Sequence, residues 1–365
     1  MALRRAAAVL AVALTAALAP LAPIIPISAA SSAPVAGDDD EQLHLVVLRG
    51  PGTAGQPAGA LDVITAIRLR SAQDAVLAGV GRPDPTYRWT TALNGVAVPL
   101  SPAQAAELAR NPAVALVEKD SVRTLSGAAD QAGAIPGQPA RTTGGAGVVI
   151  GVVDSGLAPE APVFSAVADL GRPARDFRGE CVTGDGWTVE DCSEKVVGAR
   201  WFVDGFGEDQ IRSGESLSAR DENGHGTQVA SVAAGNAGIT ARVGSQRFGT
   251  YAGVAPQARL AVYKACWTAP DPADDGCSTA DLVSAVDSAT ADGVDVLNLS
   301  VGGPAEFDSL ERALLGAAES GIAVVAAAGN GADRTAAHPS PWVTTVGAAA
   351  GPIREGQARL RGGPT

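Results

Sequence analysis

Aromatic residues make up only 4% of the 365 residues, and the chain holds just three histidines, four cysteines and one methionine. A hydrophobic core must therefore be built mainly from Ala, Val, Leu and Ile, which the 46% hydrophobic content supplies. With only 18% charged residues, that content excludes wholesale disorder. The length favours two or three folded units.

Positive charge is also scarce. The chain has 27 Lys and Arg against 39 Asp and Glu, which gives a net charge of −12. Because proteins bind nucleic acid by neutralising phosphates with Lys and Arg, we expect no nucleic-acid partner. Beyond the N-terminus no apolar run is long enough to span a bilayer, so we expect no membrane anchor.

The N-terminus has the pattern of a secretory signal peptide. Arg4 and Arg5 precede an apolar run at 6–18, three prolines come after it, and small residues end the segment near residue 30. A membrane anchor is the alternative, but the apolar run is shorter than the ~20 residues of a span, and the prolines prevent its extension as a helix. We assign residues 1–30 to a signal peptide and expect a secreted, extracellular protein.

Export makes disulfides the expected state of the four cysteines. Cys181 and Cys192 are separated by eleven positions, as are Cys266 and Cys277. Four cysteines allow three pairings, of which the pairing of sequence neighbours is the simplest, each bond closing one loop. Zinc binding is the rival, but no CxxC and no neighbouring histidine supports it. We therefore predict no metal site there.

Residues 42–120 have the pattern of a small α+β domain. Strand-like and helical segments follow in the order β-α-β-β-α-β, at 43–48, 63–78, 87–98 (the two middle strands), 101–110 and 114–118. Pro102 stands at the first turn of the second helix, where proline is favoured. Such open sandwiches imply no activity by themselves. Residues 121–146, rich in Gly, Ala, Pro and Gln, are predicted to form a linker and activation region.

Residues 147–365 predict a doubly wound parallel α/β sheet. Continuous apolar runs, typical of strands buried on both faces, occur at 148–153, 260–262, 294–299 and 322–328, with helical patterns at 279–292 and 306–320. Ligands of such sheets bind at the carboxyl ends of the strands. A dinucleotide-binding oxidoreductase is disfavoured, because the glycines at 144–147 precede the first strand instead of following it.

Two polar residues at these strand and helix ends are candidates for catalysis. Asp154 follows the first buried strand and could orient an imidazole, although a capping aspartate is equally typical there. His225 lies between two glycines directly before a helical stretch, whereas His44 and His338 have no chemical neighbours in sequence. Taken alone, His225 could also be a structural histidine.

Two further strand ends offer hydrogen-bonding groups. Asn330 follows the strand at 322–328, where its amide could stabilise an oxyanion or simply form a turn. Ser300, Val301 and Gly302 follow the strand at 294–299 and could pair with an extended peptide, or form an ordinary strand exit.

Together, four segments resemble the subtilisin-like serine peptidases (subtilases): 152–156 (VVDSG), 223–227 (NGHGT), 298–303 (NLSVGG) and 326–330 (AAAGN). Residues 42–120 resemble the inhibitory propeptide of these enzymes, carried by Tyr87, ALNGVA at 92–97, Leu100-Ser101 and VALVE at 114–118. The fold implied is therefore a subtilisin-like sheet, incomplete here, preceded by a propeptide domain.

The resemblance implies a role for each candidate residue. Asp154 would orient His225, His225 would act as general base and then acid, and Asn330 would stabilise the oxyanion. Ser300, Val301 and Gly302 would line the substrate cleft. Protein or peptide substrates are implied, with the propeptide as intramolecular inhibitor until it is cut somewhere after Asp120. No cofactor is expected; structural calcium is compatible with the resemblance, but no ligand set can be named.

The sequence departs from the family pattern in two ways. Gln228 replaces the second histidine of the usual His-Gly-Thr-His, a structural position. No Gly-Thr-Ser occurs, and only 35 residues follow Asn330. Ser340 lies between prolines, where a helix-start nucleophile cannot form. We therefore expect the nucleophilic serine beyond residue 365 and a chain that is inactive as written, with core faces left exposed so that it aggregates or stays partly molten.

The segment at 176–200 resembles members that carry a protease-associated insert before the nucleophile, which is compatible with a fragment of a secreted zymogen. The alternative is a non-catalytic peptide-binding or inhibitor protein with a dead peptidase domain. A Gly-Thr-Ser downstream of residue 365 would distinguish the two.

Overall fold

The computed structural model describes residues 41–54, 60–126, 142–165, 170–171, 174, 176–243, 245–330 and 336–348. These residues belong to one compact unit, Asp38–Thr365. The predicted signal peptide and most of the predicted linker lie outside the described residues. Within the described ranges, no helix has both the length and the apolar character needed to cross a membrane.

The N-terminal part folds into a four-stranded antiparallel sheet with two helices, in the predicted β-α-β-β-α-β order. The sheet order is β2-β3-β1-β4, so the first strand lies between the third and fourth. A capping box between Ser101 and Gln104 begins the second helix one residue before Pro102. The elements are β1 (Gln42–Leu48), α1 (Ala60–Ala78), β2 (Tyr87–Trp89), β3 (Gly95–Leu100), α2 (Pro102–Arg110) and β4 (Val114–Lys119).

Helix α1 packs on this sheet only through its C-terminal half. Val76 and Leu77 are buried, whereas Val63, Ile64 and Ile67 are 63%, 46% and 58% exposed. The exposed apolar residues lie in the N-terminal half of the helix, and the buried ones lie near its C-terminal end. The apolar periodicity predicts the helix but not how much of it is buried.

The C-terminal part is built on a six-stranded parallel sheet of order β14-β13-β12-β6-β10-β7, which confirms the predicted class. The other strands of this part form two separate two-stranded sheets, β11-β5 and β8-β9. In chain order the strands are β5 (Val122–Arg123), β6 (Val149–Asp154), β7 (Val196–Trp201), β8 (Ile239–Val243), β9 (Gln246–Tyr251), β10 (Arg259–Lys264), β11 (Cys277–Ser278), β12 (Val296–Leu299), β13 (Ala323–Ala327) and β14 (Val343–Val346).

Helices cover both faces of this sheet: α3 (His225–Ala234) on one, α4 (Thr279–Asp292) and α5 (Ser309–Glu319) on the other. Alternate residues of β6 divide between the two layers. Ile150 and Val152 pack with Ala230 and Ala234 of α3, whereas Val149 and Val153 belong to the core on the α4 and α5 side. Every residue of β6 is buried, which agrees with the apolar sequence of the strand up to Val153; its last residue, Asp154, is charged.

The cysteines form two disulfides, Cys181–Cys192 and Cys266–Cys277. The pairing of sequence neighbours is therefore confirmed. The second disulfide joins the segment after β10 to β11, and β11 leads directly into α4. It thus holds the start of α4 against the end of a central strand.

Candidate active site

The last residue of β6 and the first residue of α3 meet at the carboxyl end of the sheet. His225 Nδ1 lies 2.7 Å from Asp154 Oδ1, although the two residues are 71 positions apart. Both side chains are buried, with exposures of 6% and 1%. The main-chain N–H of Ser155 also donates to Asp154 Oδ1, at 2.7 Å. The structure therefore brings the two predicted catalytic side chains into direct contact.

Burial and the hydrogen bond between the two side chains shift the pKa values of His225 and Asp154 in opposite directions. Burial alone would lower the pKa of His225, but the hydrogen bond and the charge of Asp154 outweigh it, so that this pKa lies above its usual 6.5. Burial raises the pKa of Asp154, opposed by its bond to His225. Within the described residues, Asp154 Oδ2 is buried without a hydrogen-bond partner. The pair favours an imidazole that gains a proton readily.

Asp221 fixes the start of α3 and with it the position of His225. Its Oδ1 accepts the N–H groups of Asn223 and Gly224 at 3.1 and 2.7 Å. Its Oδ2 accepts the N–H and the hydroxyl of Thr227 at 2.8 and 2.6 Å. The Ser155 hydroxyl donates to Oδ1 at 2.9 Å, which joins this cap to the end of β6. We did not predict this role, although an acidic residue shortly before a helix start is a capping signal.

Gly226 lets the helix start approach the end of β6 closely. A Cβ on this residue would lie 2.3 Å from the carbonyl oxygen of Gly156 and 3.2 Å from Asp154 Oδ1. Its N–H donates to the Ser155 hydroxyl at 2.9 Å. Any larger residue at this position would push His225 away from its carboxylate partner.

The segment after β4 lies along the predicted substrate cleft as an added strand. β5 pairs antiparallel with β11 on one side. On the other side, the Ser126 N–H donates to the Ser300 carbonyl and the Gly302 N–H donates to the Thr124 carbonyl, both at 2.8 Å. An antiparallel bridge joins Leu125 to Val301 between them. Ser300, Val301 and Gly302 thus hold an extended peptide by main-chain hydrogen bonds.

Ser126 of this segment lies beside the histidine. The Ser126 carbonyl oxygen lies 3.3 Å from His225 Nε2, the ring nitrogen that does not face Asp154. Beside them is a cavity of about 240 Å³ lined by His225, Ser155, Asn223, Leu125 and Trp267 among others. A peptide carbonyl is therefore presented to the imidazole at the end of the cleft.

Comparison with known proteins agrees with this arrangement. Residues 145–353 match the model of the subtilase family, and residues 54–126 match the model of the peptidase inhibitor I9 family. The chain belongs to the subtilase family. Its N-terminal domain matches an inhibitor family, as expected for a propeptide.

Plant subtilases are among the similar proteins. The chain is 37% identical over 278 residues to subtilisin-like protease SBT1.4 of Arabidopsis thaliana, covering 72% of the chain and 35% of that relative. It is 41% identical over 209 residues to SBT1.3 of the same plant, covering 55% and 26%. The chain thus spans about a third of the length of these relatives.

One similar solved structure is fervidolysin from Fervidobacterium pennivorans, described as a keratinolytic enzyme related to subtilisin. The TM-score is 0.47 at 17% identity, covering 82% of this chain and 42% of that one.

His338 of this subtilase contacts Val301, one of the predicted cleft residues. It is fully buried, with Nδ1 2.6 Å from Glu311 Oε1 and Nε2 3.0 Å from the Val301 carbonyl oxygen. It thereby ties the cleft strand to α5. The sequence gives no signal for this role, because the partners are 27 and 37 positions away.

Asn330 lies exposed beyond the end of β13. β13 pairs with β12, with Ala326 opposite Leu299, so Asn330 and Ser300 follow neighbouring strands. Among the contacts given for the described residues, none joins Asn330 to His225 or Ser126. Its oxyanion role therefore stays a prediction that rests on strand order.

The serines near the histidine are engaged elsewhere. The Ser155 hydroxyl bonds to Asp221 and Gly226, and the Ser300 hydroxyl accepts from Asn298 Nδ2 at 3.0 Å. In the described ranges, no group of three or more His, Cys, Asp or Glu side chains could hold a metal ion. The expectation that the protein needs no cofactor stays a prediction.

Proposed function

We propose that this chain is part of the zymogen of a secreted serine endopeptidase. The 2.7 Å contact between His225 Nδ1 and Asp154 Oδ1 carries the proposal. Asp154 would fix the tautomer of the imidazole and stabilise its protonated form, and His225 would act as general base and then as general acid. Residues 1–30 would direct export. A serine beyond Thr365 would supply the attacking hydroxyl.

The position of Ser126 indicates how the reaction would run on the chain itself. The serine hydroxyl would add to the Ser126 carbonyl carbon as its proton passes to His225 Nε2. The C–N bond to Gly127 would then break, and His225 would return the proton to the leaving amine. Water would hydrolyse the resulting ester by the same two proton transfers. Activation would thus cut the Ser126–Gly127 bond, after Asp120 as the resemblance implies.

Asn330 would donate its amide N–H to the oxyanion of the tetrahedral intermediate. One such donor contributes about 2.7–4 kcal/mol, a value known from subtilisin. Support comes from its place at the end of β13, next to the strand that leads into the cleft. An exposed amide at that edge is free to meet a bound carbonyl.

Residues 42–120 would act as the inhibitory propeptide. Their sheet packs on α4, and the segment after them lies in the cleft in the direction of a substrate. Several side-chain hydrogen bonds join the propeptide and this segment to the larger domain, including those of Tyr87, Trp89 and Arg123. Tyr87 bonds to Asp281 at 2.7 Å, Trp89 bonds to Ser284 at 2.8 Å, and Arg123 bonds to Asp308 at 2.5 Å.

A fluorophosphonate probe, which labels an activated serine, tests the proposal on the full-length protein that contains this chain. We expect labelling after propeptide removal, abolished by His225→Ala. Labelling that persists in His225→Ala would contradict the proposal. Absence of labelling, together with binding of peptides in the cleft, would favour a non-catalytic peptide-binding protein.

A further inference from the structure

Arg123 extends its side chain from the cleft segment into a closed site of the larger domain. Its Nη2 lies 2.5 Å from Asp308 Oδ2, and its Nε donates to the Thr279 hydroxyl at 3.0 Å. The side chains of Arg123 and Asp308 are only 4% and 10% exposed. An ion pair so far removed from water is not an incidental surface contact.

The cleft register fixes which substrate position this site receives. Ser126 presents its carbonyl to His225, and Arg123 is the fourth residue counted back from that carbonyl. The main-chain bonds that set this register involve Ser300 and Gly302 of the larger domain. Because these bonds involve only main-chain atoms of the bound peptide, other peptides would adopt the same register.

The side chains that bond to the guanidinium, Thr279 and Asp308, belong to the larger domain. Asp308 is the N-cap of α5, with Oδ1 accepting the Glu311 N–H at 3.0 Å, so Oδ2 is held toward the cleft. Gly303 leaves the space that the guanidinium fills, because a Cβ there would lie 2.5 Å from Arg123 Nη1. The propeptide's Glu118 approaches from its own side, accepting the Ser309 N–H at 3.3 Å.

We propose that Asp308, Thr279 and Gly303 form a specificity pocket that selects arginine at the fourth residue before the cleaved bond. An apolar side chain would leave the Asp308 carboxylate buried without a cation. Lysine would bring the charge, but it lacks the planar fork that reaches Asp308 and Thr279 together. The statement about substrates rests on the proposed function, whereas the statement about the bound segment does not.

Hydrogen exchange of the full-length protein before its activation, followed by mass spectrometry, tests the pocket without catalysis. In Asp308→Asn and in Arg123→Met we expect the peptide that covers 122–126 to exchange at least about 30-fold faster, with Arg123→Lys between these variants and the wild type. Asparagine is also a good N-cap, so unchanged protection of α5 shows that Asp308→Asn remains folded. Arg110→Met, which removes an exposed pair with Glu107, is the matched control. Unchanged exchange of 122–126 in both Asp308→Asn and Arg123→Met would overturn the proposal.

The full-length protease tests selection of substrates. Peptides with the sequence SVRTLSGAAD of residues 121–130 are compared with versions carrying Met or Lys in place of the arginine. We expect kcat/KM to fall at least about 30-fold for Met, and the Arg-to-Met ratio to approach one in Asp308→Asn. Cleavage without preference would refute the pocket but not the proposed function. If no peptide is cleaved, the proposed function fails and the exchange experiment alone decides on the pocket.

Discussion

Replacement of Asp287 by asparagine should flatten the pH dependence of the contact between the propeptide and α4. Asp287 Oδ1 accepts three main-chain N–H groups of the loop between β2 and β3, from Ala92 at 2.7 Å, Thr91 at 2.9 Å and Leu93 at 3.4 Å. Asparagine offers a carbonyl oxygen in the same place but carries no charge. The substitution therefore isolates the free-energy cost of burying the charge of the carboxylate.

Burial raises the pKa of Asp287 from 3.8 to about 6, against the opposing effect of these hydrogen bonds. The folded protein thus favours the protonated carboxyl group. Its contribution to the free energy of unfolding is complete below pH 3.8 and is lost as the pH rises through about 6. Two pKa units correspond to about 3 kcal/mol. Because the residue is only half-buried, we expect roughly 2 kcal/mol.

Urea unfolding of the wild type and Asp287→Asn at pH 4 and pH 7.5 measures this effect. Between these pH values, the wild type should lose roughly 2 kcal/mol of unfolding free energy relative to the variant. Asp74→Asn, at a carboxylate 62% exposed and paired with Arg88, should show almost no such difference. Parallel profiles for wild type and Asp287→Asn, or a wild type that gains relative stability toward pH 7.5, would refute the reasoning.

Three further substitutions test how the site is held. Asp221→Ala removes the side chain that caps α3, so it should lower the free energy of unfolding in urea by about 2 kcal/mol or more and speed amide exchange at the start of α3. Unchanged exchange there would contradict this role. Gly226→Ala should destabilise the chain by about 1–3 kcal/mol in thermal unfolding, since its Cβ would meet the Gly156 carbonyl at 2.3 Å, and an unchanged Tm would argue against a tight approach. Lys264→Met should lower the free energy of unfolding by about 3–5 kcal/mol, because Glu215, 2.7 Å from the ammonium group, would stay buried without its cation. The double variant Lys264→Met, Glu215→Leu should lose clearly less, and equal losses would contradict the pairing.

Local signals in the sequence predict the frame of the fold. The apolar run at 148–153 reflects burial of β6 on both faces, and the helical pattern at 279–292 matches the bounds of α4, which Ser278 and Gly293 cap. Both β6 and α3 are recognisable, and parallel topology places their ends at one edge. Contact between Asp154 and His225 follows from that topology.

Other features depend on contacts across the chain that no local pattern records. His338 finds Glu311 and Val301 only after the strands have assembled. Arg123 lies in a segment predicted to be a linker and activation region. Its side chain is nevertheless buried against Asp308, which is 185 positions away in sequence. The burial of these charges depends on the tertiary arrangement, which periodicity and composition do not specify.

NMR titration of the His225 ring in the full-length protein that contains this chain tests most directly whether Asp154 controls this imidazole. We predict a midpoint above 6.5 in the wild type, because the carboxylate stabilises the protonated ring. In Asp154→Asn the midpoint should fall, since the hydrogen bond and the charge that oppose the effect of burial are weakened or removed. A wild-type midpoint at or below 6.5 that does not move in Asp154→Asn would contradict the account.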